Sequence, residues 1–247
     1  MRIALLTDLH ANREALDAVL AHASGERIDR HALLGDFVGY GAEPAWVVDR
    51  ARELAAAGAI VVQGNHDEAV VHGSRASMRP DARHSIEWTR ARLDAEQLAF
   101  LAALPMSHTE GPALYVHANA WDPPKWSYIE TRHDAVRSMH ATTCRYTFCG
   151  HMHEPMLYHL SRSGKAGDFK PVAGVTIPMP PHRQWLVVPG SVGQPRDNNP
   201  AACYAVFDLE QAQVTYHRVA YDHEAAAAKV RAAGLPQNLA ERLADGS

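Results

Sequence analysis

The N-terminal segment changes abruptly from an apolar run to polar side chains. Residues 2–7 are short, apolar and free of turn residues, which predicts a buried β-strand. The run ends at Asp8, Leu9 and His10. Because residues i and i+2 of an extended segment face the same side, we expect Asp8 and His10 to point at one object, with Leu9 turned into the core.

The first third of the chain alternates strands of this kind with segments of helical periodicity. Strands are predicted at 2–7, 31–34 and 59–62, and helices begin near Asn12 and at Pro44. Such an alternation is typical of parallel βαβ units. In parallel sheets, ligands bind beyond the carboxyl ends of the strands, so the residues that follow each strand are the candidates for function.

The middle of the chain continues this pattern with more helix. Residues 80–104 have helical periodicity with a capping box at Asp94 and Gln97, so a helical excursion is expected over about 72–105. Strands follow at 113–116 and 145–149.

The last third has a different character, because short apolar runs alternate with Gly, Pro and Asn turns. This predicts a mostly antiparallel sheet, with strands at 156–160, 172–177, 185–188, 203–209 and 214–219. A surface hairpin loop is expected at 161–170. Two closing helices are expected within about 223–244, at 225–233 and 239–243.

Composition excludes several classes of protein. Apolar residues make up 47 % of the 247 residues, enough for a sizeable core, and a single domain over 1–247 is expected. A net charge of −4 argues against a stable nucleic-acid complex. Three cysteines are not a disulfide framework, Asp8 interrupts any signal peptide, and no run could span a bilayer. A cytoplasmic location without membrane association is therefore expected.

Polar side chains suited to metal binding follow five of the predicted strands. An isolated Asp-x-His or His-x-His pair is weak evidence, but donors at five strand ends indicate a common site. The set comprises Asp8, His10, Asp36, Asn65, His66, His117, His151 and His153. Other histidines, His22 and His217 among them, are expected not to be ligands.

The chemistry of these donors restricts the metal. Apart from His66, the set contains two carboxylates, one amide oxygen and four imidazoles, but no thiolate. Oxygen and nitrogen donors suit Mn²⁺, Fe²⁺/Fe³⁺, Zn²⁺ or Co²⁺, and they disfavour a closed structural zinc–cysteine site. Seven donors are too many for one ion but suit two ions if a carboxylate bridges them, as in enzymes that displace groups in line at phosphorus.

Five ordered motifs resemble the signature blocks of the calcineurin-like metallophosphoesterases, and of their small prokaryotic phosphodiesterase branch in particular. They are DLHAN, GDFVGYG, GNHD, VHAN and GHMH, while PGSVGQPRD followed by CYAVFDL resembles the block after the last histidine motif. The resemblance covers residues 2–219. It implies an α/β fold of four layers, α-β-β-α, in which two mixed β-sheets pack face to face between outer helices.

The resemblance also implies roles for the donors. It assigns Asp8, His10 and His153 to one ion, Asn65, His117 and His151 to the other, and Asp36 to a bridge between them. Asn65 is also expected to contact the substrate.

The resemblance also implies catalytic roles for His66 and Asp67. The resemblance implies that His66 protonates the leaving group, oriented by Asp67, after attack by a hydroxide that bridges the two ions. An imidazole near its ordinary pKa of about 6.5 suits that role.

The chain departs from the family pattern at three places. Related protein phosphatases and dinucleotide tetraphosphatases carry Asp-Arg-Gly where this chain has Gly39-Tyr40-Gly41, so an arginine that grips phosphate is missing. This disfavours a protein phosphatase. Ala118 replaces a usual glycine and Trp121 stands near a position often held by a basic residue, which leaves substrate preference open.

Several residues keep two interpretations. Asn12 either contacts a substrate phosphate or only caps the first helix, and Asp67 either orients His66 or caps a helix. Arg196 either reaches the substrate phosphate or forms a structural salt bridge. An aromatic group on one loop either stacks against the substrate or pins the loop. Its members are Trp121, Trp126 and Tyr128.

The favoured function is a dinuclear metal-dependent phosphodiesterase for a small, possibly nucleotide-like phosphoester, with Mn, Fe or Zn as the metal. The alternative among enzymes is a phosphomonoesterase acting on nucleotides or sugar phosphates. A non-catalytic binding scaffold is disfavoured because all seven presumptive ligands and His66 are present. The physiological substrate, native metal and oligomeric state stay open.

Overall fold

Two mixed β-sheets of six strands each form the centre of the computed structural model, which describes residues 1–76 and 78–247. The first sheet contains, in spatial order, β3 (Ile60–Val61), β2 (Arg30–Leu33), β1 (Arg2–Leu6), β11 (Ala202–Asp208), β12 (Gln213–Val219) and β9 (Thr176–Pro178). The second contains β4 (Ser107–Glu110), β5 (Ala113–Val116), β6 (Tyr146–Phe148), β10 (Arg183–Val188), β7 (Met156–Ser161) and β8 (Ala166–Phe169).

Eight α-helices in the described part of the chain flank the sheets. They are α1 (Arg13–Gly25), α2 (Pro44–Ala56), α3 (Asn65–His72), α4 (Pro80–Arg90), α5 (Ala95–Ala103), α6 (Arg132–His140), α7 (His223–Ala232) and α8 (Gln237–Asp245). Among these described residues, no helix is both long enough and apolar enough to cross a membrane.

Strand β1 illustrates how the layers are held together. Its side chains alternate, so Ile3 and Leu5 enter the core between the two sheets while Ala4 and Leu6 pack under the outer helices. In the core between the sheets, Phe148 of β6 meets Phe207 of β11 with ring centroids 5.0 Å apart. The sheets therefore pack face to face between helices, and the predicted four-layer α/β fold is confirmed.

Strand direction brings the carboxyl ends of several strands to one edge of the molecule. Strands β1, β2 and β3 are mutually parallel, as predicted. In the second sheet, β5, β6 and β10 are parallel to one another. The loops that leave these strands carry the candidate site residues.

Several elements differ from the sequence-based expectations. The expected strand at 172–177 is reduced to β9, which begins at Thr176. The expected loop at 161–170 contains strand β8, which pairs with β7 through Leu160 and Ala166. Strand β8 is a partly exposed edge strand with a charged, glycine-containing sequence, so its stability comes from pairing and not from an apolar pattern. Strand β4 was not predicted for the same reason, since its residues are mostly exposed.

Helix α6 was also not predicted, although the sequence carries a signal for it. Its sequence is mostly polar, and its buried side chains are Ala135, Ser138 and Met139. The Thr131 hydroxyl accepts from the Asp134 N–H, and the Asp134 carboxylate accepts from the Thr131 N–H, which is a capping box.

The predicted capping box of the helical excursion is confirmed. Residues 80–104 form two helices, and Asp94 caps the second of them by accepting from the Gln97 N–H at 2.8 Å. The Gln97 side chain accepts from the Asp94 N–H at 3.1 Å. These reciprocal bonds satisfy two backbone donors that would otherwise lack partners at the start of α5.

We therefore expect Asp94→Ala to lower the free energy of unfolding by about 1 kcal/mol, because it removes an N-cap acceptor. Urea denaturation followed by circular dichroism measures this change. Glu96→Ala is the matched control, since Glu96 lies in the same turn and makes an exposed ion pair with Arg52. Equal losses for the two variants would refute the capping role.

Candidate metal centre

The predicted donors converge at one edge of the two sheets. Asp8 and His10 follow β1, Asp36 follows β2, and the loop after β3 leads into α3 at Asn65. The second sheet contributes the remaining donors from the ends of β5 and β6. Two buried groups of donor atoms result, each with atoms within 4.8 Å of one another: Asp8, His10 and His153 in one, Asp36, His117 and His151 in the other.

The four histidines of these groups share one hydrogen-bonding pattern. In each ring, one nitrogen lies within hydrogen-bond distance of a backbone carbonyl, which can only accept. The pairs are His10 Nδ1 with Val38 O at 3.0 Å, His117 Nδ1 with Leu34 O at 2.7 Å, His151 Nε2 with Trp126 O at 2.9 Å and His153 Nδ1 with Gln194 O at 2.6 Å. Each neutral ring therefore carries its proton on the outer nitrogen.

In the neutral rings, the inner nitrogens face one another without a proton between them. His10 Nε2 lies 3.1 Å from His153 Nε2, and His117 Nε2 lies 3.2 Å from His151 Nδ1. Two lone pairs at this distance repel each other unless a cation lies between them. This arrangement fits a metal ion in each group, since metal-bound histidines use one nitrogen for the ion and the other for a hydrogen bond.

The carboxylate of Asp36 lies between the two groups. Its Oδ2 atom is 3.7 Å from His10 Nε2 and 3.4 Å from His117 Nε2. Its Oδ1 atom accepts from the His66 N–H at 2.8 Å, which fixes the orientation of the carboxylate. One oxygen is thus available to both groups, as a bridging ligand requires.

The other oxygen donors each serve one group. Asp8 Oδ1 lies 3.3 Å from His153 Nε2, while Asp8 Oδ2 accepts from the Thr7 hydroxyl at 2.8 Å. Asn65 Oδ1 lies 3.2 Å from His117 Nε2. Together with the histidines, these residues place all seven predicted ligands around two positions.

Burial governs the charge of the imidazoles. It lowers the pKa of His151 to about 3 and holds the pKa of His10 well below its ordinary value. Burial also opposes protonation of His117, but the neighbouring Asp36 carboxylate outweighs it and raises the pKa of His117 to about 9. Because a ligand must be neutral, an ion that binds His117 has to displace its proton.

The backbone conformation at Asp8 and His10 differs from the extended strand that the sequence analysis assumed. Strand β1 ends at Leu6, and Asp8 and His10 lie in a turn with φ values of 54° and 45°. The side chains converge because of this left-handed backbone, so the assumption of an extended segment was wrong. Leu9 is buried among core residues, as expected.

Left-handed backbone recurs in the ligand set. Asp36, His151 and His153 have φ values of 54°, 70° and 61°. Such conformations are unfavourable for residues with a side chain and persist where the surrounding structure enforces them, most often at functional sites.

Residues Gly39-Tyr40-Gly41, where this chain departs from the family pattern, shape the space around His66. Gly39 has φ of +82°, and a Cβ atom there would lie 2.3 Å from His66 Nδ1. The Tyr40 ring packs 4.5 Å from the His66 ring and 4.6 Å from the His10 ring, measured between centroids. Gly39 therefore provides the space that His66 occupies, and Tyr40 covers both histidines.

His66 lies beside the two groups and not within them. One of its ring nitrogens lies within 4.8 Å of the donor atoms of His10 and Asp36. Its Nδ1 atom is buried and has no hydrogen-bond partner among the described residues. Burial lowers the pKa of His66 to about 4, so the expectation of an ordinary pKa is wrong for the free protein.

Asp67 does not orient His66, which corrects the role implied by the resemblance. Its carboxylate accepts from the N–H groups of Asp36, Phe37 and Gly64, each at 2.9 Å. These bonds hold the loop after β2 against the start of α3. Asp67 thus supports Asp36, the candidate bridging residue, through the backbone, in keeping with the capping interpretation.

Asn12 caps helix α1, as its second interpretation predicted. Its Oδ1 atom accepts from the Ala15 N–H at 3.1 Å. Its Nδ2 atom donates to Gly193 O at 2.8 Å and to the Tyr221 hydroxyl at 3.2 Å. Both amide protons are therefore in use, and this geometry does not support a phosphate contact from Asn12.

Arg196 reaches the site from the loop after β10. Its Nη2 atom donates to Gln194 Oε1 at 3.1 Å and lies 3.5 Å from the Tyr40 hydroxyl. Asp197 pairs with Arg218, and no described carboxylate lies within ion-pair distance of Arg196. The Nε atom of Arg196 is buried without a partner among the described residues. The salt-bridge interpretation is therefore wrong.

The three aromatic residues of the loop after β5 have different positions. Trp121 packs on the outer side of the second sheet, beneath the Arg137 guanidinium. Trp126 is buried, donates to Glu68 at 2.9 Å and accepts from the ring of His151, so it pins the loop. Tyr128 is 45 % exposed and stacks on His151 with ring centroids 4.0 Å apart.

A cavity of about 420 Å³ opens beside the metal centre. Its lining includes Asn65, His66 and His151 at the centre. Farther out it is lined by Tyr40, Arg75, Met78, Arg79, Ala82, Lys125, Trp126 and Tyr128. The exposed Tyr128 is the aromatic residue placed to contact a molecule in this cavity.

Sequence reasoning missed the partners that fix the ligands. The carbonyl groups of Leu34, Val38 and Gln194 carry no side-chain signal, so no motif could reveal them. Tyr40 was visible in the sequence as a departure from the family pattern, but its position over His10 and His66 was not predicted.

Comparisons with known proteins identify the family of this chain. The family model of the calcineurin-like phosphoesterase superfamily domain matches residues 1–212. An uncharacterised protein of Methanocaldococcus jannaschii is 34 % identical over 98 % of this chain and 96 % of its own length. A metallophosphoesterase from Sphaerobacter thermophilus is 38 % identical, with a TM-score of 0.88 over the whole of both chains.

A hypothetical protein from Pyrococcus horikoshii shares the fold at 18 % identity, with a TM-score of 0.80 over 100 % of this chain and 98 % of that one. The superfamily uses dinuclear metal centres, and the two donor groups described above are candidates for one. The chain belongs to the calcineurin-like phosphoesterase superfamily.

Proposed function

We propose that this protein is a dinuclear metal-dependent phosphodiesterase that uses Mn, Fe or Zn. The observation that supports it best is the orientation of the four histidines. Their outer nitrogens bond to backbone carbonyls, so the inner nitrogens of the neutral rings are free to bind cations. Bound metal ions supply a nucleophile from water near neutral pH and neutralise phosphate oxygens.

Arg196 is proposed to bind the substrate phosphate. It lies beside the metal centre without a carboxylate partner among the described residues, and its Nε atom lacks a hydrogen bond. A partly buried cation whose Nε atom is buried and unpartnered gains from a bound anion. Arg196 thus replaces, from a different loop, the arginine that is absent at Tyr40, and the Tyr40 ring and hydroxyl hold its guanidinium in place.

His66 is proposed as the general acid. His66 lies beside the metal centre, and one of its ring nitrogens is within 4.8 Å of a carboxylate oxygen of Asp36. A bound phosphate places negative charge next to the ring and raises the pKa of His66 toward its ordinary value. Substrate binding therefore brings the ring into the protonated form in which it can give a proton to the leaving alkoxide.

The cavity beside the centre favours a diester over a monoester. Its volume of about 420 Å³ exceeds what a phosphate group alone needs, and the exposed Tyr128 ring forms an aromatic wall. A second substituent on the phosphate would occupy this space. We propose a small, possibly nucleotide-like diester as the substrate, and no stable complex with nucleic acid.

Substrate preference tests this proposal. For the manganese-loaded protein, we expect kcat/KM to be at least about 10-fold higher for a bis-aryl phosphate than for the mono-aryl phosphate with the same leaving group, since about 10-fold is the lower end of what a single methylene contributes in an apolar pocket. Steady-state kinetics measures both values. A preference for the monoester would make the protein a phosphomonoesterase. Absence of activity on both substrates would support the alternative of a non-catalytic binding scaffold.

The role of His66 has its own test. We expect His66→Ala to lower kcat by about 10²–10⁴ for a diester with an alkyl leaving group, which needs a proton. The loss should be much smaller for a nitrophenyl diester, whose leaving group is stable as an anion.

Metal content separates this effect from damage to the centre. His66→Ala should retain the metal content of the wild type, whereas Asp36→Asn should lose metal together with activity on both substrates. Equal losses for His66→Ala on the two leaving groups would contradict a role as general acid.

A further inference from the structure

A second cluster of metal-ligating side chains lies apart from the metal centre. His22 and Glu26, at the end of helix α1, meet His217 of strand β12 on the outer face of the first sheet. One donor atom from each residue lies within 4.8 Å of the others. None of the three belongs to the sequence motifs or to the two donor groups described above.

The helix and the strand present these side chains to each other by their regular geometry. His22 and Glu26 are four residues apart and so lie on the same face of the helical turn. Along β12, Val214 and Tyr216 enter the core between the sheets, so His217 points to the opposite face, toward α1. The cluster therefore joins two different layers of the fold.

The spacing of the two imidazoles matches that of the paired ligands in the metal centre. The ring centroids of His22 and His217 are 5.1 Å apart. The corresponding distance is 4.8 Å for His10 and His153. Two rings at this spacing can bind one ion between them.

Tyr204 of β11 supports both rings. Its hydroxyl lies 2.8 Å from His22 Nδ1, and its ring stacks on His217 with centroids 5.0 Å apart. Tyr204 and His217 are directly opposite in the β11–β12 ladder. A hydrogen bond on one nitrogen of His22 leaves the other nitrogen for an ion, which is the arrangement of metal-bound histidines.

The remaining contacts leave room for a cation. His217 Nε2 is buried and has no hydrogen-bond partner among the described residues. Glu26 is held by Arg2 through an ion pair of 3.2 Å between partly exposed side chains. Partly exposed pairs of this kind are weak and are easily exchanged for a bound metal.

We propose that His22, Glu26 and His217 form a third metal site, which takes a divalent transition ion such as Zn²⁺. Two imidazoles and one carboxylate are a ligand set that zinc uses with a fourth position open to water. An ion in this site links the end of α1 to β12. The site is independent of the proposed phosphodiesterase activity.

Zinc stoichiometry tests the proposal. After equilibrium dialysis against a Zn²⁺ buffer, elemental analysis should find three equivalents of zinc in the wild type. His22→Ala and His217→Ala should each bind one equivalent less than the wild type. His84→Ala is the matched control, because His84 is an exposed histidine on α4 outside every donor group, and it should bind as much zinc as the wild type.

The difference between wild type and variants is the deciding quantity. A defect of the dinuclear centre lowers the zinc content of all proteins alike and leaves that difference unchanged. The third site is refuted if His22→Ala and His217→Ala bind as much zinc as the wild type. It is also refuted if His84→Ala loses the same amount, because the loss would then reflect any surface histidine.

Discussion

The hydrogen bonds from four histidines to backbone carbonyls are the constraint on which the site depends. In each bond, the outer ring nitrogen donates its proton to a backbone carbonyl. The inner nitrogen of each neutral ring then points into the site without a proton. The carbonyls belong to loops after β2, β5 and β10, so the ligand orientation is set by the packing of the two sheets. A local change in any of these loops would turn a candidate ligand away from the other donors.

The loops after β1 and β2 adopt conformations that are unfavourable in isolation. Asp8, His10 and Asp36 have left-handed backbone. Gly39 has no side chain, and this leaves the space that the His66 ring occupies. The three backbone N–H groups bound by Asp67 oppose this cost by holding the loop after β2 against α3. Stability of the sheets thus maintains a strained loop geometry that places the donors together.

Much of this arrangement could be predicted from the sequence, because motifs and apolar strands record side-chain identity. The seven proposed ligands and the parallel first strands are examples, and the capping box at Asp94 is another. What could not be predicted depends on tertiary contacts. Backbone carbonyls have no sequence signature, the edge strand β8 lacks an apolar pattern, and the actual partners of Asp67 and Arg196 follow from loop packing.

The most direct test of the central claim is the number and position of metal ions in crystals grown with Mn²⁺, located by anomalous X-ray scattering. At the edge where the strand ends of the two sheets meet, the account predicts two peaks, one bound by Asp8, His10 and His153, the other by Asn65, His117 and His151, with the Asp36 carboxylate between them. A single peak, or a peak without the inner histidine nitrogens as ligands, would contradict it.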